Sequence, residues 1–216
     1  MKQYIVIGCG RFGTSVATTM NLLGHQVMAI DKSEEIIQQI ADKVTHAAIV
    51  DVTDENALRS IGLGNFDTAI ISIGSDIRSS IMATLMAKEM GVAQIVCKAK
   101  DELQAKVLYK IGADRVVFPE RDMGVRVAHS LVSDNILDHI ELDPEYSIVE
   151  IVVPSNWVGK TLIELDLRAK YEISVLAIKN GKEINVTPPP DEKLKSGSIL
   201  VVIGQSSSIS KITSNE

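Results

Sequence analysis

The sequence predicts an α/β protein in which a doubly wound parallel sheet is followed by a small α+β domain. Short β-branched runs alternate with longer segments of helical spacing over the first two thirds of the chain, which is typical of parallel strands joined by crossover helices. A glycine-rich GxGxxG turn, from Gly8 to Gly13, follows the first of these runs. The 216 residues have room for one ordinary domain and a smaller one.

The elements of the larger domain are predicted in regular alternation. Strands are expected at residues 4–7, 26–30, 46–50, 68–72, 94–97 and 115–118, and helices near residues 12–23, 34–42, 55–61, 77–90 and 102–111. Side chains that favour helix N-caps precede four of these helices: Ser33, Asp54, Asp76 and Asp101. Glycines that favour helix ends follow four of them: Gly24, Gly62, Gly91 and Gly112.

A sixth helix, predicted over residues 125–134, ends this domain, which we place at residues 1–134. Residues 135–146 mix acidic and apolar side chains around Pro144 and are predicted as a linker that opens the second domain, residues 135–216. A strand at 147–153, a short helix through Leu165, and strands at 173–179, 183–186 and 198–203 are expected to follow. A module of about 70 residues has a marginal core of its own and gains from dimerisation.

The composition argues against nucleic acid as a partner and against secretion. The chain has 28 acidic residues against 22 Lys and Arg, a net charge of −6, and no basic cluster to meet phosphates. Its two cysteines, Cys9 and Cys97, form neither a disulfide framework nor a CxxC metal motif. The first residues resemble no secretory leader, and the uncharged stretch 12–30 is too polar for a membrane span. We therefore expect a cytoplasmic protein.

The GxGxxG turn follows a predicted strand and opens a helix, which is the context of a dinucleotide-binding loop. Gly8 permits the tight turn, Gly10 lets a phosphate approach the backbone, and Gly13 lets the helix pack on the sheet. Phe12 lies within the same loop. The helix N-terminus offers free N–H groups and a positive dipole end to phosphates. A glycine-rich turn that binds nothing is the alternative.

Further candidate residues follow the other predicted strands at the same edge of the sheet. Asp31 ends the second strand, where a carboxylate accepts hydrogen bonds from a ribose diol and repels a 2′-phosphate, which favours NAD over NADP. A cap for the next helix is the alternative for this residue. Asp51 is placed either at an adenine edge or in a cap. Three more candidates rest on their place near strand ends alone: Ile73, Gly74 and Lys98.

Arg11 and Glu120 carry charges that a dinucleotide alone does not require. A guanidinium in the loop suggests additional negative charge, such as the terminal phosphates of ATP or ADP, with an exposed arginine as the alternative. Glu120, near the last strand end, would be repelled by phosphates unless a divalent cation bridged them. From the residues alone, a glutamate favoured by the helix dipole is the simpler interpretation.

No catalytic pattern accompanies the predicted nucleotide site. Hydride transfer requires an acid–base group near the nicotinamide, and none of the histidines is predicted at a strand end that faces the cleft: His25, His46, His129 and His139. Tyr109 and Lys110 are adjacent rather than one helical turn apart. GxSxG, HExxH and P-loop motifs are absent from the sequence. We predict a binding protein and not an enzyme, with a small NAD-dependent oxidoreductase as the alternative.

A series of motifs resembles one known family: IVIGCGRFG, AID, VDVTDE, ISIG, VCKA, KIGADRVVFPERDMG, SIVEIVVP, GKTLIELDLRAKY and GSILVVIG. They are similar to the regulatory subunits of Ktr and Trk potassium-uptake systems, and most of all to the Ktr gating subunit. These subunits join an RCK (regulator of conductance of potassium) amino-terminal domain to an RCK carboxy-terminal domain. The resemblance covers nearly the whole chain and implies a Rossmann-like first domain.

The resemblance also implies ligands and partners. Homodimers would build an octameric ring beneath a potassium-translocating membrane subunit, which would hold the cytoplasmic chain at the inner face of the membrane. ATP and ADP, with NAD or NADH as further ligands, would favour different ring shapes through unequal binding. Arg11 would reach the terminal phosphates, and Glu120 would join a Mg²⁺ or Ca²⁺ ion at a subunit contact. Asp31 would hold the ribose in a pocket completed by Asp51, Ile73 and Lys98.

In Gram-positive members of the family, the carboxy-terminal domain dimerises and binds cyclic di-AMP in the interface, which would inhibit uptake. The matching residues here are Leu162, Ile163, Asp166, Leu167, Arg168, Ala169, Ile173, Ser174 and Val175. Arg168 would meet the phosphates, and the apolar residues would flank the adenines. A dimer core without this ligand is the alternative.

Overall fold

The computed structural model describes residues 2–74, 76–132, 136–143 and 145–213. The chain separates into two compact units, of which the first ends at Glu120 and the second begins at Arg121. The domain boundary predicted between residues 134 and 135 lies outside the described residues, as does Pro144 of the predicted linker. In these described ranges no helix is both long enough and apolar enough to cross a bilayer.

The first unit is a parallel sheet with helices on its crossovers. Its strands are β1 (Gln3–Ile7), β2 (Gln26–Asp31), β3 (His46–Ile49), β4 (Thr68–Ile71), β5 (Gln94–Lys98) and β6 (Arg115–Val117). The helices between them are α1 (Arg11–Leu22), α2 (Glu34–Ile40), α3 (Glu55–Ser60), α4 (Ile77–Glu89) and α5 (Glu102–Lys110). Over the described residues, the six strands have the order β3-β2-β1-β4-β5-β6, and all pairs are parallel. The predicted doubly wound sheet is confirmed.

The strands are apolar on both faces because helices cover both faces of the sheet. In β1, Ile5 and Ile7 belong to one buried cluster, whereas Val6 between them belongs to another. This division follows from the alternation of side chains along a strand. All three side chains are fully buried, so β1 forms the centre of the first unit.

All four predicted N-caps are observed, and each side chain accepts hydrogen bonds from first-turn N–H groups: Ser33, Asp54, Asp76 and Asp101. Most element ends lie within one or two residues of the prediction. The helix α2 stops at Ile40, before a 3₁₀ turn at Ala41–Lys43, and the exception is the sixth helix. That helix, α6 (Pro119–Val132), begins well before the predicted residue 125, because proline is well suited to the first helical position.

The second unit continues from α6 into an antiparallel sheet. Its elements are β7 (Ile136–Glu141), β8 (Tyr146–Val152), α7 (Leu162–Leu165), α8 (Leu167–Tyr171), β9 (Ser174–Asn180), β10 (Glu183–Asn185), β11 (Ile199–Gln205) and α9 (Ser206–Thr213). Over the described residues the five strands have the order β10-β9-β11-β8-β7. One face of the sheet is covered, since Leu165, Leu167 and Ile209 of the helices pack in one cluster with Ile151 and Leu200 of the strands.

The linker prediction over residues 135–146 is wrong for most of its described part. Ile136–Glu141 forms the edge strand β7, which pairs antiparallel with β8. The buried residues Ile136 and His139 lie three positions apart, because the pairing of β7 with β8 shifts register between Ile136 and Asp138, so the segment lacks the simple alternation that marks a strand. The carboxylate of Asp138 accepts two hydrogen bonds of 2.8 Å from Arg126. The helices α8 and α9 were not predicted either. The first has only five residues, and the second begins with three serines, which are modest helix formers.

Replacing Asp54 by Ala should lower the free energy of unfolding of the first unit by about 1 kcal/mol, because the N–H groups of Asn56 and Ala57 lose their side-chain acceptor. Urea unfolding followed by circular dichroism measures this change. The control, Asp42→Ala, removes an exposed carboxylate from the 3₁₀ turn and should change the value by less than about 0.5 kcal/mol. Equal effects of the two substitutions would contradict the capping role.

Candidate functional site

A cleft of about 290 Å³ opens at the carboxyl edge of the parallel sheet. The loops after β1, β2, β3 and β4 line it, so it straddles the point where the strand order reverses. Most of the predicted nucleotide residues line this cleft: Gly8, Gly10, Asp31, Asp51, Ile73 and Gly74. The other predicted residues lie outside its lining, at the start of α1 and at the end of β5: Arg11, Phe12, Gly13 and Lys98.

The glycine loop and the start of α1 pack too closely for side chains. A Cβ atom at Gly13 would lie 2.0 Å from the carbonyl oxygen of Gly8 and 2.3 Å from Oγ of Ser72. Gly8 has a φ of +89°, which L residues rarely adopt. In the described helix α1, the N-cap is Gly10 and the first turn has no acidic residue. The positive dipole end of α1 therefore has no acidic side chain of its own first turn, and its N-cap Gly10 lines the cleft.

Asp31 ties the glycine loop to the turn after β2. One carboxylate oxygen accepts the N–H of Cys9 at 2.7 Å, and the other accepts the N–H of Ser33 at 2.9 Å. The cap of α2 is Ser33 and not Asp31, so the alternative considered for Asp31 is not observed. Each carboxylate oxygen keeps a further acceptor site. Asp31 can thus hold the loop and accept a hydroxyl at the same time.

Two charged residues of the cleft were missing from the prediction, Lys32 and Asp76. Hydrogen bonds from the backbone and hydroxyl of Thr53 lower the pKa of Asp51, and those from the hydroxyl and backbone of Ser79 lower the pKa of Asp76. Both carboxylates are therefore anionic at neutral pH. The described lining residues of the cleft include three carboxylates, those of Asp31, Asp51 and Asp76, and one lysine, Lys32. The N-cap role of Asp76 after β4 was the available sequence signal.

Six further residues line the cleft, and none was predicted from the sequence to do so: Ser33, Ile36, Val50, Val52, Ser72 and Ser79. The aliphatic members follow or flank β2 and β3. They form an apolar part of the wall of the same cleft that the carboxylates of Asp31 and Asp51 line. A flat apolar group with a polar edge, such as a purine base, matches this arrangement.

A second group of charged residues, Lys98 and Glu120, lies where β5 and β6 end, away from β2 and β3. The ammonium of Lys98 donates a hydrogen bond to the carboxylate of Glu120. This hydrogen bond, with a smaller effect from the charge of Arg11, lowers the pKa of Glu120. The side chain of Lys98 is 12% exposed, whereas that of Glu120 is 71% exposed. Glu120 is thus paired with Lys98.

The residues around Glu120 do not fit a divalent cation within one chain. The described residues contain no cluster of three His, Cys, Asp or Glu side chains able to hold a metal ion. The ammonium of Lys98 already occupies the carboxylate and opposes a second cation there. The metal role of Glu120 stays a prediction that would require ligands from another molecule.

Neither cysteine is suited to nucleophilic chemistry. Burial, with a smaller effect from the charge of Asp31, raises the pKa of Cys9 to about 12. Burial also raises the pKa of Cys97 to about 11. No described histidine side chain lines the cleft. The described lining residues of the cleft offer hydrogen-bonding and charged groups for binding a ligand.

A second cavity, of about 460 Å³, lies in the carboxy-terminal unit. Eight of the nine residues predicted for cyclic di-AMP line it: Leu162, Ile163, Asp166, Leu167, Arg168, Ile173, Ser174 and Val175. Ala169 does not line it, because it lies on another face of α8. Pro188 and Pro190 also line this cavity, and neither was predicted from the sequence to do so. Asp166, between α7 and α8, has a φ of +44°, which turns the chain sharply at the cavity.

The sequence matches two family models, the TrkA-N domain at residues 4–119 and the TrkA-C domain at residues 147–215. It is 48% identical to the Ktr system potassium uptake protein C of Bacillus subtilis, over 97% of this chain and 95% of that protein. It is 42% identical to the Ktr system potassium uptake protein A of the same organism, over the same shares. A solved GsuK channel bound to NAD has the same fold, with a TM-score of 0.66, 15% identity, and coverage of 100% of this chain and 40% of that chain.

The native thiols should react with Ellman's reagent at pH 8 more than about 100-fold slower than in urea, because burial suppresses the thiolate. The same raised pKa values favour the folded state below about pH 9, the ordinary value of the thiols. This contribution is lost as the pH rises from there towards 12, since the unfolded chain ionises first. Rapid labelling of the native chain would contradict the buried setting of both cysteines.

Proposed function

This chain belongs to the Ktr potassium uptake proteins, built from TrkA-N and TrkA-C domains, and we propose that it is a cytoplasmic regulatory subunit that gates potassium uptake in response to adenine nucleotides. As a member of this family it is a transport-system protein and not an enzyme. The alternative of a small oxidoreductase fails on the same ground. The absence of an acid–base pair among the described cleft residues agrees with this assignment.

The observation that carries the nucleotide proposal is the division of charge along the sheet edge. The carboxylates of Asp31, Asp51 and Asp76 suit hydroxyl and amino donors and oppose a 2′-phosphate. The bare N-terminus of α1 suits a diphosphate, and Arg11 and Lys98 provide positive charge beyond it. A ligand with an unphosphorylated ribose at one end and phosphates at the other fits this order. ATP, ADP, NAD and NADH share that chemistry.

The same arrangement supports a switch between ATP and ADP. Ligands shift a conformational equilibrium only when they bind the two states unequally. Arg11 is exposed at the first residue of α1, so a terminal phosphate near its guanidinium would be sensed directly. In an octameric ring of homodimers, such a contact would favour one ring shape with ATP and another with ADP.

The membrane partner follows from the family. A chain that regulates potassium uptake must act on a subunit that conducts the ion. We therefore place the chain at the inner face of the membrane, held there by a potassium-translocating subunit. The ring would transmit the nucleotide state to that subunit.

The cavity of the carboxy-terminal unit supports a second ligand, cyclic di-AMP. Its wall combines aliphatic side chains, which suit adenine rings, with one cation among its described lining residues, Arg168, which suits a phosphate. Ile163 is 64% exposed, so the cavity includes apolar surface that a second copy of the unit would cover. A two-fold symmetric dinucleotide fits a two-fold symmetric dimer interface. Its binding would oppose the active ring shape and inhibit uptake.

Arg11→Ala should weaken ATP binding about tenfold or more and ADP binding less than about threefold, because only ATP brings a third phosphate to this guanidinium. Isothermal titration calorimetry of the full chain measures both affinities. Arg59→Ala, which removes an exposed arginine of α3 outside the nucleotide cleft, is the matched control and should change neither. Equal losses for ATP and ADP would refute the assignment of Arg11.

Calorimetry with NADH and NADPH and an NADH oxidation assay test the function itself. The acidic end of the cleft should make NADPH the weaker ligand of the two. Binding of ATP or ADP without NADH turnover supports a sensor. Substrate-dependent oxidation of NADH, or the absence of any nucleotide binding, would overturn the proposed function.

For the second site, the full chain should bind cyclic di-AMP at micromolar concentration or below, and Arg168→Ala should weaken it about tenfold or more. The exposed Lys170, a neighbour on α8 that does not line the cavity, provides the control Lys170→Ala. Retention of full affinity in Arg168→Ala would remove the phosphate contact. Failure of the unmodified chain to bind would remove the second ligand altogether.

A further inference from the structure

Two long helices begin at the cleft, and their N-termini are built in opposite ways. The helices α1 and α4 follow β1 and β4, which are neighbouring strands of the sheet. The N-cap residues of the two helices, Gly10 and Asp76, both line the cleft. Because a helix N-terminus has free N–H groups and a positive dipole end, either helix could attract a phosphate.

Only α4 fills its own N-terminus with an anion. Over the described residues of α1, the N-cap makes no side-chain hydrogen bond and the first turn has no acidic residue. In α4, one carboxylate oxygen of Asp76 accepts the N–H groups of Arg78 at 3.0 Å and Ser79 at 3.3 Å. The other oxygen accepts the hydroxyl of Ser79 at 2.5 Å. The N–H groups that would meet a phosphate at α4 therefore already have a charged acceptor.

Asp76 is a fixed negative charge. Its three hydrogen bonds hold the carboxylate against the first turn of its own helix, so it cannot turn away from an approaching anion. Hydrogen bonds from the hydroxyl and backbone of Ser79, with a smaller effect from the charge of Lys32, lower the pKa of Asp76 and keep it ionised at neutral pH. A phosphate placed at α4 would be repelled by this carboxylate.

Lys32 is the one cation among the described lining residues of the cleft, and two carboxylates divide its charge. Its charge acts on Asp76 and also on Asp51, whose pKa is lowered mainly by hydrogen bonds from Thr53. Lys32 would favour a phosphate at this end of the cleft. The two carboxylates outweigh it, so the end formed by these three residues is negative.

We propose that Asp76 is a specificity-determining residue, whose carboxylate occupies the N-terminus of α4 and confines nucleotide phosphates to the N-terminus of α1. This inference rests on the proposed nucleotide site and assigns to Asp76 the rejection of ligands that carry a phosphate at the adenosine end. NADPH differs from NADH only by such a phosphate, on the adenosine ribose. Without the charge of Asp76, Lys32 and the dipole of α4 would together favour that phosphate.

Calorimetry of the full chain with NADH and NADPH at about 0.1 M salt tests this role. Asp76→Asn removes the charge and keeps an oxygen acceptor, and asparagine is an equally good N-cap. It should raise NADPH affinity roughly three- to tenfold and NADH affinity less than about twofold. Asp76→Ser, which keeps a capping hydroxyl, should act in the same direction. Adding Lys32→Met to Asp76→Asn should remove most of the NADPH gain.

The matched control is Asp54→Asn in α3. Asp54 caps its helix with the same geometry, since one carboxylate oxygen accepts the N–H groups of Asn56 and Ala57, but it does not line the cleft. This variant should leave the ratio of NADPH to NADH affinity unchanged. Circular dichroism and an unchanged ATP affinity verify that each variant is folded.

Two results would overturn the role of Asp76 while the nucleotide site stands. In the first, Asp76→Asn fails to raise NADPH affinity, or raises NADH affinity equally. In the second, Asp54→Asn gives the same gain, which would trace the effect to net charge alone. If the unmodified chain binds none of ATP, ADP and NADH, both this inference and the proposed function fall.

Discussion

The close approach of α1 to the loop after β1 is the constraint on which the rest of the first unit depends. Gly13 lies so near the carbonyl of Gly8 and the hydroxyl of Ser72 that any Cβ atom would collide with them. This contact joins the ends of β1 and β4, the two strands between which the sheet reverses its order. The N-cap of α1, Gly10, lines the cleft beside this contact. Fold and binding site thus share one steric requirement.

Asp31 stabilises the loop in which this close packing occurs. Its carboxylate holds the N–H of Cys9 on one side and that of Ser33 on the other, across 22 residues of sequence in the first case. Local and distant backbone groups are therefore fixed by one side chain. Removal of this anion would leave two N–H groups without their acceptor, whether or not a ligand is bound. Asp31 therefore has a structural role that does not depend on its proposed contact with a ribose.

Local signals predicted much of the fold and of the site. The caps from Ser33 to Asp101 and the glycine loop depend on neighbours within a few residues, so the sequence displays them directly. The pairing of Lys98 with Glu120 depends on the adjacency of β5 and β6 and on where α6 begins, which no local pattern reveals. Likewise, β7 is an edge strand whose irregular register with β8 breaks the alternation of buried and exposed residues. The missed helices α8 and α9 had local causes, whereas these two features depend on contacts between residues distant in sequence.

The strand order has a consequence for how the protein folds while it is being synthesised. Among the strands of this sheet, β1 comes first in the chain, yet it lies at the centre and needs β4, which begins only at Thr68, before its second edge is paired. Until that edge is paired, an apolar strand can pair with strands of other chains, which favours aggregation. All partners of this sheet are nevertheless complete by Val117, before any strand of the second unit is made. The nucleotide cleft can therefore form during translation, ahead of the unit that follows it.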